Sequence, residues 1–291
     1  MARRPKKHTS LLFALKSKYI EVEYIFLNGN LINKKDAYLH VSDLSIHRGY
    51  GVFDFFKIKN GDNPWLVHYM DRFYNSLKYA RIPFEYSRDD LKKMVFDIMA
   101  KNGTDSGYIK IVATGGYSVD GYSPGEQSNF MMFSFPLSKF PSKPEGQGYH
   151  LIASEFVRPN PLVKSTNYFN SVLHYNKMQE YEAVDILYHF NGFISECSRC
   201  NVFIIKDGKI STPGSGMLEG ITRRRVLEQI ENGFDIEIRP VTSLEIFTAD
   251  EIFVSSSTKG VMPIVKIEGK KVNDGTVGSI CKELSHYLEV F

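Results

Sequence analysis

In the second half of the chain, short runs of β-branched and aromatic residues are separated by the dipeptides Asn191-Gly192 and Asp207-Gly208. Both residues of such a pair accept positive φ, so each pair signals a tight hairpin and antiparallel pairing of the runs beside it. The runs Asp185 to Phe190, Phe193 to Glu196, Asn201 to Ile205 and Ile210 to Thr212 therefore read as strands, and His150 to Val157 as another. Helices are expected over Asn170 to Ala183, Thr222 to Asn232, Ser243 to Phe247 and Gly275 to Val290.

The first half has its own pattern. Alternation from Ile20 (IEVEYIFL) runs into Asn28-Gly29-Asn30, and Val52 to Lys59 (VFDFFKIK) is closed by Asn60-Gly61-Asp62. Two helical stretches follow, His68 to Ala80 and Arg88 to Asn102, the second with Leu91, Met94, Val95 and Ile98 on one face. Strands return at Tyr108 to Thr114 and Phe130 to Pro136. Ser138 to Gly148 (SKFPSKPEGQG) concentrates Pro, Gly, Ser and Lys without periodicity and reads as the linker. The expected organisation is an α+β chain: a basic tail (1–23), a small α/β domain (24–137), the linker (138–148) and a larger domain (149–291).

The net charge of +3 belongs to Met1 to Lys18, the acid-free start of the tail. Of the 36 basic residues, Arg3, Arg4, Lys6, Lys7, Lys16 and Lys18 lie there, leaving 30 against 33 acidic residues, so no nucleic-acid partner is expected of the folded body. No apolar run approaches the roughly 18 residues of a membrane span, and no secretory signal is recognisable. Cys197, Cys200 and Cys281 supply no disulfide framework, and a reducing cytoplasm is the expected home. Cys197-Ser198-Arg199-Cys200 lacks the second ligand pair of a structural zinc site, so no metal is expected. Neither Thr114-Gly115-Gly116-Tyr117 nor Gly49-Tyr50-Gly51 completes a nucleotide-binding fingerprint.

The chemistry lies in an ordered series. His68-Tyr69-Met70-Asp71-Arg72 comes first, then Pro161-Leu162-Val163-Lys164-Ser165-Thr166-Asn167-Tyr168. Ile194-Ser195-Glu196 follows Lys164 by 32 residues, with Asn201-Val202-Phe203 close behind. Leu218-Glu219-Gly220-Ile221-Thr222-Arg223 supplies a flexible Gly and a hydroxyl where a helix begins, and Phe253-Val254-Ser255-Ser256-Ser257-Thr258 ends the series. From about Tyr24 to the C-terminus this succession resembles the class IV aminotransferases. These are fold-type IV pyridoxal-phosphate enzymes that include branched-chain and D-amino acid aminotransferases and aminodeoxychorismate lyase.

The resemblance implies a two-domain fold with a smaller N-terminal α/β domain and a larger C-terminal pseudo-barrel domain, and pyridoxal 5′-phosphate as cofactor. It makes Lys164 the amine that condenses with the cofactor aldehyde and carries the proton. Glu196 faces the pyridine nitrogen, Arg72 clamps the phosphate, Tyr168 bonds the phenolic oxygen and Leu218 packs on the ring. Ile221, Thr222, Ser256 and Ser257 complete the phosphate cup. The stretch between Thr212 and Leu218 is shorter than usual in the family.

Substrate choice follows from the small domain. The loop Gly115 to Pro124 (GGYSVDGYSP) has no basic residue, unlike the carboxylate-trapping loop of D-amino acid aminotransferases. His47 to Asp54 keeps the spacing of the branched-chain enzymes, whose Tyr and Arg two apart become Tyr108 and Lys110 here. Lysine lacks the guanidinium fork, and Arg48 is the candidate compensating cation. Phe53, Phe55 and Tyr108 are candidates for an apolar side-chain pocket, with Thr258 beside them. The reading is an aminotransferase that passes the amino group of an apolar, branched-chain-like amino acid to a 2-oxo acid, working as a homodimer. Its alternatives are a lyase of the aminodeoxychorismate type or a D-amino acid aminotransferase. A more distant one, an inactive binding protein, sits poorly with Lys164, Glu196 and Arg72 together.

Overall fold

A computed structural model describes residues 22–137 and 147–288. The basic segment 1–21 and the central linker residues 138–146 lie outside the described residues, as do 289–291 at the end of the last expected helix. The first sheet contains β1 (Tyr24–Leu27), β2 (Asn30–Asn33), β3 (Gly51–Ile58), β4 (Gly107–Thr114) and β5 (Phe130–Pro136), in the order β2-β1-β5-β4-β3. The short α1 (Leu44–Arg48) precedes β3, and α2 (Leu66–Ala80) and α3 (Arg88–Lys101) link β3 to β4. Both long helices cover one face of this sheet.

Alternation decides what each side of β3 does. Val52, Asp54, Phe56 and Ile58 point into the core, while Phe53, Phe55 and Lys57 are half-buried on the opposite face. Helix α2 buries Leu66, Tyr69, Met70, Phe73 and Leu77, the spacing of one helical stripe. Helix α3 starts with a reciprocal capping box between Ser87 and Asp90.

The second sheet is larger. It holds β6 (Tyr149–Glu155), β7 (Ala183–Phe190), β8 (Phe193–Cys197), β9 (Asn201–Lys206), β10 (Lys209–Thr212), β11 (Ile236–Ile238), β12 (Val241–Thr242), β13 (Glu251–Ser256), β14 (Gly260–Ile267) and β15 (Lys270–Lys271). The order is β11-β10-β9-β13-β14-β6-β7-β8-β12, with β15 on β14. The turn from β8 into β9, closed by a Cys197 N–H to Cys200 carbonyl bond of 2.8 Å, joins strands far apart in that order and curls the sheet into a half-barrel. Around it lie α4 (Phe169–Leu173), α5 (Tyr175–Glu180), α6 (Ile221–Leu227), α7 (Glu245–Thr248) and α8 (Ser279–Leu288).

Three expectations change. The single helix over Asn170 to Ala183 is two short helices meeting at His174, and the chain turns at Glu182 with φ +49° to enter β7. The helix expected to Asn232 is α-helical only to Leu227 and continues as a 3-10 turn over Glu228–Asn232. Strands β13 and β14 were not expected, although they lie at the centre of the sheet. Buried residues run unbroken along most of β13, which removes the alternation, and Pro263 interrupts the signal of β14.

Candidate active site

The site lies where the exposed face of β3 meets the half-barrel. Lys164 sits in an irregular segment that runs beside β3 like an extra strand. The Phe53 N–H donates to the Lys164 carbonyl at 2.9 Å, and the Thr166 N–H donates to the Gly51 carbonyl at 2.9 Å. Gly51 eases this approach, because a Cβ there would lie 3.1 Å from both the Ala113 carbonyl and the Thr166 hydroxyl, which would have to give way by a few tenths of an ångström. From the other side, the Ser76 hydroxyl of α2 accepts the Lys164 N–H at 3.1 Å. The backbone is thus held from two directions while the side chain extends into the cavity.

The Lys164 ammonium lies 4.6 Å from the centroid of Phe53. Burial and the nearby Arg72 and Arg158 charges pull its pKa from 10.5 to about 7, against the opposing pull of Asp54 and Glu196. The amine is therefore available as a neutral base and nucleophile near neutral pH.

Glu196, on β8, is fixed on both oxygens. Arg158 Nε donates to Oε1 at 2.5 Å and the Leu218 N–H donates to Oε2 at 3.1 Å. Arg158 also donates to the Ser198 carbonyl at 2.9 Å. Burial raises the Glu196 carboxyl above its usual range, and the Arg158 charge and the Leu218 N–H oppose that rise. Two donors that cannot accept a proton favour the anionic form and limit that rise.

Arg72 is held as firmly. Its Nε and Nη2 donate to Asp54 at 2.9 and 2.7 Å, and Nη1 reaches the Glu219 carbonyl at 3.3 Å. Asp54 is fully buried, in the core register of β3. One helix turn earlier, Tyr69 donates to the Ser257 hydroxyl at 2.9 Å, so α2 also positions the loop after β13. On the facing side Asn201 donates to the Leu218 carbonyl at 2.8 Å. A Cβ at Gly220 would lie 2.0 Å from the Asn201 side-chain oxygen, so only glycine fits there.

These groups share one cavity of about 290 Å³. Lys164, Arg72, Glu196 and Tyr168 line it, as do Leu218, Ile221 and Thr222 around the start of α6. Ser256, Ser257 and Thr258 close one end, and Phe53 and Phe55 form the apolar wall. Tyr108 stacks on Phe55 with centroids 5.5 Å apart, and its hydroxyl lies 3.5 Å from the Thr258 carbonyl, at the cavity edge. Lys110 sits 5.5 Å from the Phe53 centroid and, like Tyr108, is not among the residues that line the cavity. Arg48 is a correction: it is exposed on α1, donates to the carbonyl of its neighbour His47 at 3.0 Å and does not line the cavity. It is the last residue of a five-residue helix that ends in a left-handed Gly49.

Arg158 and the role of Asp54 were missed by sequence reasoning. Asp54 carries a readable signal, an acid in the buried phase of an alternating strand, which demands a cation. Arg158 carries none, because it lies in an irregular segment and acquires its role only through Glu196, 38 residues later. Cys197 and Cys200 are buried free thiols, and burial with the nearby Asp185 charge pushes Cys200 up to about 12. Such thiols are poor nucleophiles and ligands.

Fold and site together define a fold-type IV enzyme built around a depressed-pKa lysine. The chain matches the family model described as amino-transferase class IV over residues 51–267; it belongs to that family and is a transaminase. It is 32% identical over 270 residues to a Methanocaldococcus jannaschii protein provisionally named a branched-chain-amino-acid aminotransferase, covering 89% of this chain and 93% of that one. A D-alanine aminotransferase of Listeria monocytogenes serotype 4b is 27% identical over 278 residues, covering 91% and 94%. Among solved structures, the branched-chain amino acid aminotransferase of Escherichia coli superposes with a TM-score of 0.84 at 26% identity, covering 91% of this chain and 93% of that chain. No helix among the described residues is long and apolar enough to cross a membrane.

Proposed function

We propose that this transaminase uses pyridoxal 5′-phosphate, the cofactor of its family, to move the amino group of an apolar, branched-chain-like amino acid to a 2-oxo acid such as 2-oxoglutarate. The observation that carries the reading is the Lys164 amine, depressed to about 7 in one cavity with an arginine-held carboxylate and an aspartate-held arginine.

The cavity fits the cofactor chemically. The Ser255 and Ser256 hydroxyls on its wall are buried without a partner, and α6 begins without a side-chain cap. Unmet polar groups of this kind cost about 1–3 kcal/mol each and are satisfied by a bound anion. The phosphate would be held by Arg72, the backbone N–H groups of Ile221 and Thr222, and the hydroxyls of Ser256 and Ser257. Glu196 would keep a proton on the ring nitrogen, Tyr168 would orient the phenolic oxygen and Leu218 would pack against the ring. Once bound, the cofactor supplies an aldehyde and an electron-withdrawing ring.

The remaining chemistry belongs to the protein. Lys164, neutral near pH 7, takes the substrate's Cα proton at Nζ and returns it. Arg158 acts through Glu196 by keeping it charged. Phe53, Phe55 and Tyr108 exclude water and accept an apolar side chain. Thr258, on the cavity wall, and Lys110, beside Phe53, would be the groups offered to a substrate carboxylate. Phe169, Val172 and Leu173 expose 75%, 71% and 66% of their surface on neighbouring positions of α4, an apolar patch suited to a homodimer. The free buried thiols suit a reducing compartment such as the cytoplasm.

Purified protein loaded with the cofactor is expected to be yellow, to bleach with borohydride, and to lose its colour faster with L-leucine or L-valine than with other amino acids. Protein that takes up no cofactor refutes the cofactor assignment. Turnover confined to D-amino acids transfers the enzyme to the D-specific reading, and pyruvate release from aminodeoxychorismate transfers it to the lyase.

A further inference from the structure

Behind the wall formed by Thr222, Ser256 and Ser257 lies a second cavity of about 190 Å³. Two cations line it from different elements, Lys57 from the exposed face of β3 and Arg225 from α6. No acidic side chain lines it among the described residues. Among the described residues neither Lys57 nor Arg225 forms an ion pair with a carboxylate; Arg225 lies over Trp65, 5.6 Å from the ring centroid, and Glu228, three residues on, attracts it from beyond contact. Lys259 borders the same space, but its ammonium lies 3.9 Å from Asp185 on another side.

The two cations are frustrated. Burial together with Lys59 and Arg225 lowers the Lys57 pKa, and burial lowers that of Arg225 against the opposing pull of Tyr69 and Glu228. Proteins seldom leave partly desolvated like charges facing each other, and an anion between them removes both the desolvation and the repulsion. Ser256 belongs to both cavities, so an occupant here would sit back to back with the cofactor phosphate.

We propose that Lys57 and Arg225 form a second oxyanion site, separate from the cofactor phosphate cup, that binds a dianion of the size and charge of inorganic phosphate. Two cations lining one cavity from different elements suit a tetrahedral dianion, whose oxygens can face both.

The test is calorimetric titration of the cofactor-loaded enzyme with inorganic phosphate at low ionic strength. Absorbance reports cofactor content separately, so failure of the cofactor assignment is seen independently. The expected result is one phosphate per chain in addition to the cofactor. Lys57→Met and Arg225→Met each weaken binding by about tenfold or more, and Arg225→Lys retains most of it. In the unsubstituted enzyme, phosphate is also expected to slow acetylation of Lys57 but not of the exposed Lys59, as read by mass spectrometry. This arm decides the matter if the methionine variants do not fold. Three results overturn the proposal: no phosphate binding to the loaded enzyme, binding and protection unaffected by the substitutions, or expulsion of the cofactor by Lys57→Met or Arg225→Met. The last would make these cations part of the cofactor cup.

Discussion

Replacing Lys164 with methionine keeps the length and apolar packing of the side chain and removes only the amine. In the cofactor-free protein the folded-state pKa is about 7, against 10.5 for the unperturbed group. At about 1.4 kcal/mol per pKa unit the shift corresponds to roughly 5 kcal/mol of unfavourable burial of the charged form, which contact with cavity water reduces to about 2–4 kcal/mol. A lysine with a lowered folded pKa works against stability when both states are protonated, below about pH 7. Between that point and about pH 10.5 the unfolded chain holds the extra proton, so stability rises with pH. Lys164→Met apoprotein should therefore be about 2–4 kcal/mol more stable than wild-type apoprotein near pH 6, and the difference should shrink as pH rises toward about 10. Urea unfolding of both apoproteins across this range measures it. A pH-independent difference, or a less stable variant at low pH, would refute the depressed amine.

Three further outcomes follow from the same contacts. Asp54→Asn leaves Arg72 buried without its counter-ion, and is expected to lower stability by about 3–5 kcal/mol and to loosen the cofactor, read by thermal melting and by absorbance after gel filtration. Arg158→Met removes the cation that opposes the raised pKa of Glu196. The acid limb of the kcat profile should then move to higher pH with the cofactor still bound; an unmoved limb would count against Arg158 as a positioning residue. Gly220→Ala drives a Cβ into Asn201 and is expected to cost about 1–3 kcal/mol and to weaken cofactor retention, whereas an unchanged melting temperature would mean the turn relaxes freely.

Local chemistry made several elements readable in the chain. The dipeptides Asn191-Gly192 and Asp207-Gly208 do join antiparallel neighbours, β7 to β8 and β9 to β10, because positive φ at both residues is a property of those residues alone. The β3 alternation and the α2 and α3 stripes were legible for the same reason: one face of each is buried and the other is not. Strand β13 was not legible, since a strand buried along most of its length loses its period.

The site divides along the same line. Lys164, Glu196, Arg72 and the Gly220-Ile221-Thr222 turn are ordinary singly, and stand out by their order, which resembles that of the class IV aminotransferases. What the tertiary structure alone decided is which charges face which: Arg158 against Glu196, Asp54 against Arg72, and Lys57 with Arg225 around a cavity lined by no described acid. Arg48, credible by residue type and spacing, is exposed at the end of a short helix and does not line the cavity. Electrostatic partners act over a few ångströms of space, and separation along the chain does not predict that distance. The order of reactive residues was therefore written in the sequence, while their charge states were set only when β3, α2 and the half-barrel closed around one cavity.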